Sequence, residues 1–213
     1  MHSAKSILSL ALLHAAALTS ASPLSLLAAR DTSKGFTLIA KVTDPACELD
    51  PPVAGWQLDT AHTGAGLNAA VLSDPGQDGG PRIWYLNGTA PPAQQVLTDG
   101  GTPLYPYGLS LQAADSPGEH GAVVNVGQSS PTTVKGGRLV NLEGPDGTFL
   151  ACKRELEYYH SEFVVLQYAY AGEAIPDKCA AITLAPRCAE LEVLPPDAGS
   201  SHEFAQEVEC SAK

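Results

Sequence analysis

Apolar and polar residues alternate with a period of two along much of the chain, the pattern of strands that bury one face. In Phe36 to Thr43, Phe36, Leu38, Ala40 and Val42 share one side and Thr37, Ile39, Lys41 and Thr43 the other, which predicts a half-buried strand. Further short strands are predicted at Trp56 to Thr60, Asn68 to Leu72, Gln94 to Thr98, Gly108 to Gln112, Gly121 to Val126, Ala180 to Leu184 and Glu190 to Leu194. Ile83, Trp84, Tyr85 and Leu86 are consecutive and large, so their strand is expected to be covered on both faces. The densest run lies between Gly136 and Tyr170. There Leu139 to Leu142 and Thr148 to Cys152 flank Glu143-Gly144-Pro145-Asp146-Gly147, predicting a hairpin, and Ser161 to Tyr170 sets Val164, Leu166, Tyr168 and Tyr170 opposite Phe163 and Val165, predicting a central strand. Ser201 to Val208 reads as a short helix or a last strand.

Proline and glycine punctuate these runs. Three prolines in Asp44 to Pro52 end the first strand, Ser73 to Pro81 (SDPGQDGGP) predicts an exposed hairpin loop, and Gly127 to Gly137 predicts a flexible loop. No stretch beyond the N-terminal leader shows a helical period. The expectation is an all-β chain: a single antiparallel β-sandwich or barrel-like domain with long loops, with a β-trefoil-like arrangement as the alternative.

The N-terminus changes the picture of where that domain works. Lys5 precedes an apolar run from Ile7 to Leu18 and the small residues Thr19, Ser20, Ala21 and Ser22, the layout of a secretory signal peptide. Residues 1–21 are therefore expected to be the signal, 22–34 a flexible lead-in or a short pro-segment trimmed after Arg30, and 35–213 one secreted β-rich domain with no membrane span. The formal charge of −11 repels phosphate backbones, so nucleic acid is not an expected partner. Export also makes the Asn87-Gly88-Thr89 sequon a glycosylation site. In an oxidising compartment five cysteines should pair as far as they can. Four crowd the C-terminal third, which predicts two bridges among Cys152, Cys179, Cys188 and Cys210; three pairings are open, Cys152 with Cys179 and Cys188 with Cys210 being preferred, and Cys47 is left over.

Chemistry is sparse. Gly64-Ala65-Gly66-Leu67-Asn68-Ala69 matches a dinucleotide fingerprint, yet no helix can follow it before Asp74-Pro75-Gly76, so its glycines read as a turn or bulge and no cofactor is expected. The cysteines and histidines lack zinc spacing, and no metal is expected. A hydrolase would have to use Asp59 with His62, or His160 with Glu162 two residues along a strand. Trp and Tyr offer another use, stacking on sugar rings or anchoring a partner; the candidates are Trp84, Tyr105 and Tyr107, the last two in what reads as a proline-bracketed loop, with Tyr85, Tyr158 and Tyr159 in the same group.

The segments GFTLIAKVTD (Gly35 to Asp44), WQLDTAHTGAGLNAAVL (Trp56 to Leu72) and WYLNGTA (Trp84 to Ala90), with the tail segments CAAITLAPRCAELEVLP and SHEFAQEVEC, resemble an uncharacterised family of small secreted fungal proteins, a domain of unknown function. The resemblance implies a fungal extracellular or cell-wall setting and one β-rich domain, and brings no catalytic residue with it. The first functional expectation is thus a non-enzymatic binding, cell-surface or effector-type module for a wall polysaccharide or another extracellular protein. A secreted hydrolase with a His/acid site and a structural wall component are the alternatives.

Overall fold

The structure is a computed structural model, and it describes residues 31–76, 80–114 and 116–212. The expected signal peptide lies outside the described residues. Among the described residues fifteen strands follow one another: β1 Asp31–Ser33, β2 Gly35–Val42, β3 Gln57–Gly64, β4 Leu67–Ser73, β5 Trp84–Asn87, β6 Gln95–Gly100, β7 Tyr105–Leu111, β8 His120–Val126, β9 Thr132–Lys135, β10 Arg138–Asn141, β11 Gly147–Leu156, β12 Ser161–Tyr170, β13 Cys179–Ala189, β14 Ala205–Gln206 and β15 Val208–Cys210. A 3-10 turn at Pro45–Cys47 is capped by the Asp44 carboxylate, which accepts from the Ala46 N–H. Among the described residues no helix is long and apolar enough to cross a membrane.

The sheet closes on itself. Following neighbours from β13 through β2, β5, β6, β7, β8, β4, β12 and β11 leads back to β13, a nine-strand antiparallel barrel, with β3 hydrogen-bonded to β4 and reaching across to β2. Closure removes the sheet edges that an open sandwich would have to protect. Period two then fills the interior: Phe36, Leu38 and Ala40 from β2, Leu58 from β3, Phe149 and Ala151 from β11, Val164, Leu166 and Tyr168 from β12, and Ile182 and Leu184 from β13 form one core with Trp84 and Leu109. The opposite face of β12 is covered too, since Val165 and Ala169 pack with Leu150, Cys152, Ala61 and Val71 in a second cluster. Ser161–Tyr170 is the central strand that its alternation predicts, paired with β11, β4 and β8.

Several local expectations give way. Strand β2 is buried on both faces from Gly35 to Ala40, and the chain leaving β13 crosses its outer side at Gly35. A Cβ on Gly35 would lie 2.7 Å from the Leu191 nitrogen. For the same reason Glu190 to Leu194 is no strand: Leu191 packs against a small cluster of Tyr85, Leu97 and Ala205, while Val193 stands 95% exposed. The hairpin expected between Leu139–Leu142 and Thr148–Cys152 does not form. Instead β10 pairs with β9, inside the stretch expected to be a flexible loop, across Gly136 and Gly137 with φ of 61° and 72°. Two consecutive positive-φ residues give the tightest hairpin turn and win over a five-residue link. The Glu143–Gly147 segment becomes a corner, held where the Asn141 side chain donates to the Glu143 carbonyl at 2.6 Å.

Likewise Ser73 to Pro81 does not close a hairpin, since β4 pairs with β3, β8 and β12 whereas β5 pairs with β2, β6 and β14. Tyr105-Pro106-Tyr107 opens β7 rather than lying in a loop. Pro106 opposes Asp99 of β6, and on its other side β8 reaches only Tyr107, so the missing N–H faces an unpaired edge. The tail ends as two short strands, β14 on β5 and β15 on β1, which places Asp31–Ser33 in a ladder rather than in a lead-in. Disulfides join Cys152 to Cys179 across the β11–β13 ladder and Cys188 to Cys210 between β13 and β15, leaving Cys47 free and exposed.

Candidate functional site

Alternation that serves the core runs past its end and dresses one mouth of the barrel. On β12 the inward face passes from Leu166 and Val164 to Glu162, and on β11 from Ala151 to Lys153 and Glu155. Beyond them the four-residue turn 157–160 carries Tyr158 and Tyr159, 58% and 41% exposed, on a tight bend in which His160 takes a φ of 49°. These rings are not isolated. His62 of β3 meets Tyr158 at 5.7 Å between centroids, Tyr158 meets Tyr159 at 5.2 Å, and Tyr159 meets Phe163 at 5.0 Å. The strip borders an open groove of about 450 Å³, whose walls include Trp56, Tyr159, Phe163, Thr60, Asp74, Lys153 and Glu162. The Lys153 ammonium donates to the Asp50 carbonyl and lies 3.9 Å from Glu162 Oε1.

The proposed hydrolase pairs do not assemble. Asp59 and His62 leave opposite faces of β3; the Asp59 carboxylate accepts from Arg82 Nε at 2.8 Å and from Ser73 at 3.3 Å, while His62 turns to Tyr158. His160 lies exposed in the turn, and Glu162 faces Lys153 instead. Trp84 is wholly buried, its indole N–H donating to the Leu58 carbonyl at 3.3 Å, so it offers no stacking face. Tyr107 is half-buried against the core, and Tyr105 keeps an exposed ring packed on Gly199. Asn87 ends β5, half-buried, between Gln95 and Ala205. The Gly64–Leu67 link, with Gly66 at φ 73°, turns β3 into β4 after a register shift.

Two His–carboxylate contacts that span long sequence separations do form. His202 Nε2 lies 2.7 Å from Asp99 Oδ2, and the Tyr85 hydroxyl donates to the other oxygen of Asp99 at 3.3 Å; burial first, then Asp99, push the Tyr85 phenol far above its usual range. This group locks the tail onto β5 and β6. Asp99 and Asp59 also line a second groove of about 400 Å³ with Arg82, Ile83 and Leu191. Glu173 accepts the Tyr170 N–H at 2.8 Å and the Gly118 N–H at 3.0 Å, and lies 3.2 Å from His120. The Tyr170 amide, more than the others, holds its carboxyl below the usual range. A carboxylate with a lowered folded pKa contributes stability above its unfolded value and loses it as pH falls through the folded one. Glu173→Gln is therefore expected to lower the thermal midpoint near neutral pH and to leave it unchanged in strong acid, which melts over a pH series check. Among the described residues no three His, Cys, Asp or Glu side chains are grouped to hold a metal.

Residues 33–188 match a family described as a domain of unknown function (DUF7907). The chain belongs to this family. The DUF7907 match takes in β2 through most of β13, and with them the whole aromatic groove. A related protein, the antigenic protein SchS34 of Stachybotrys chartarum, is 37% identical over 85% of this chain and 87% of its own length. No solved structure matches the chain. Sequence reading names Tyr158 and Tyr159 only as members of a larger aromatic group; what marks them is their place, two adjacent rings in a polar link too short to bury both.

Proposed function

We propose that this DUF7907 protein is a secreted fungal protein that binds an extracellular polysaccharide, without chemistry, through the groove at the β11–β12 mouth. The contact strip of His62, Tyr158, Tyr159 and Phe163 beside that groove carries the reading. Exposed aromatic faces meet the C–H faces of sugar rings, while Lys153, Glu162 and Asp74 supply hydrogen bonds to hydroxyls. Export is supported by the leader-like Lys5 to Ser22 pattern and by two disulfides, and the antigenic relative is compatible with it. Under this reading Asn87 carries a glycan, and intact mass before and after enzymatic deglycosylation reads it directly.

Retention on chitin, β-glucan and cellulose tests the binding. Tyr159→Ala, at an exposed ring, is expected to weaken retention about ten-fold. The melting temperature should stay within a degree or two, about what a surface change allows. Failure of the unaltered protein to stay on any polysaccharide would end the proposal.

A further inference from the structure

The groove's rim is unequal in charge. Glu162 of the groove wall faces Glu155 directly across β12 and β11, where like charges repel. Asp74 adds a third carboxylate, exposed on the groove wall, with its Oδ1 accepting the Gly76 N–H. Among the described residues Lys153 is the one cation on the groove wall, and its ammonium is committed to the Asp50 carbonyl as well as to Glu162. Among the described residues Glu155 has no cationic partner. The Glu162 side chain is 53% exposed, open to whatever enters. Beside these carboxylates stand electron-rich faces, Tyr158, Tyr159 and Trp56, that also favour cations.

We infer that the polysaccharide the groove takes is one whose sugars carry free amines, the ammonium groups being set between Glu155, Glu162 and Asp74 while the ring faces lie on the tyrosines. This rests on the polysaccharide reading above and narrows it. Neutral glucans bring no charge to Glu155, and acidic polymers add to the repulsion of a chain with a formal charge of −11. The interaction is electrostatic at an open site, so salt weakens it. Raising the pH through the polymer's own amine pKa releases it.

The test compares chitosan oligomers, bearing free amines, with the same oligomers fully N-acetylated, by calorimetry at low and high salt. The expected result is at least about ten-fold tighter binding of the amine form at low salt, with the preference lost in the Glu155→Gln/Glu162→Gln double variant. Both changes are at exposed sites, so folding is not at stake. Equal binding of the two oligomers overturns this inference and leaves the polysaccharide reading standing; binding of neither, with no other glycan retained, ends both. Poly-lysine bound as tightly as chitosan, and indifferent to Tyr159→Ala, would also overturn it, because charge alone would then suffice.

Discussion

Trp84→Ala will cost about 3–5 kcal/mol, the range for removing a fully buried large aromatic side chain. Trp84 is wholly buried, packs with Phe36, Leu38 and Leu86, and ties β5 to β3 through its N–H on Leu58. It sits where β2 and β5 meet to close the ring, Phe36 opposing it directly in the ladder. A domain of this kind has about 5–15 kcal/mol in hand, so the loss takes a large share of it. Urea unfolding followed by tryptophan fluorescence and far-UV dichroism would show the midpoint fall at constant slope. A loss below about 1 kcal/mol would place Trp84 outside the core.

The second large effect concerns the bridges, which close loops of similar length: the sequence separations are 27 for Cys152–Cys179 and 22 for Cys188–Cys210. Chain entropy alone predicts about 3 kcal/mol for each. Their consequences differ because the segments they join differ. Cys152 and Cys179 oppose each other inside a ladder that Phe149–Ile182, Leu150–Ala181 and Ala151–Ala180 also hold. Cys210 ends a three-residue strand that pairs with β1, helped by backbone bonds between Ser211 and both Pro186 and Cys188. The Cys188→Ala/Cys210→Ala variant is therefore expected to fray at its tail and to be clipped there by protease while the barrel persists. The Cys152→Ala/Cys179→Ala variant should lose its thermal midpoint with no new cleavage site. The reverse pattern would contradict the topology.

Period two carries most of the fold from the sequence. It marks β12 as central and both-sided, and places Phe36, Leu38 and Ala40 together, because burial is a local requirement that every strand records. Closure leaves no such record. Nothing in Val42 or Trp84 says that β2 will meet both β13 and β5, and the crossover of Leu191 over β2 is invisible until the strands are in place. The hairpin at Gly136-Gly137 was present as a two-glycine signal, overshadowed by the proline-bearing link at Pro145. At the site, His–acid spacing along one strand mistook neighbours in sequence for neighbours in space: Asp59 found Arg82, and His202 found Asp99 across 103 positions. The aromatic groove was half legible, since Tyr158 and Tyr159 can be seen to crowd a turn, while the partnership with His62 and Trp56 depends on how β3 crosses the mouth.

Backbone amide shifts of the isotope-labelled protein, recorded while an oligosaccharide such as chitosan hexamer is titrated in, test the central claim at residue resolution. The account predicts saturable changes confined to Trp56, Thr60, His62, Tyr158, Tyr159, Glu162 and Phe163. Changes centred instead on Tyr105 and Leu104, or binding that leaves the turn 157–160 unmoved, would contradict it.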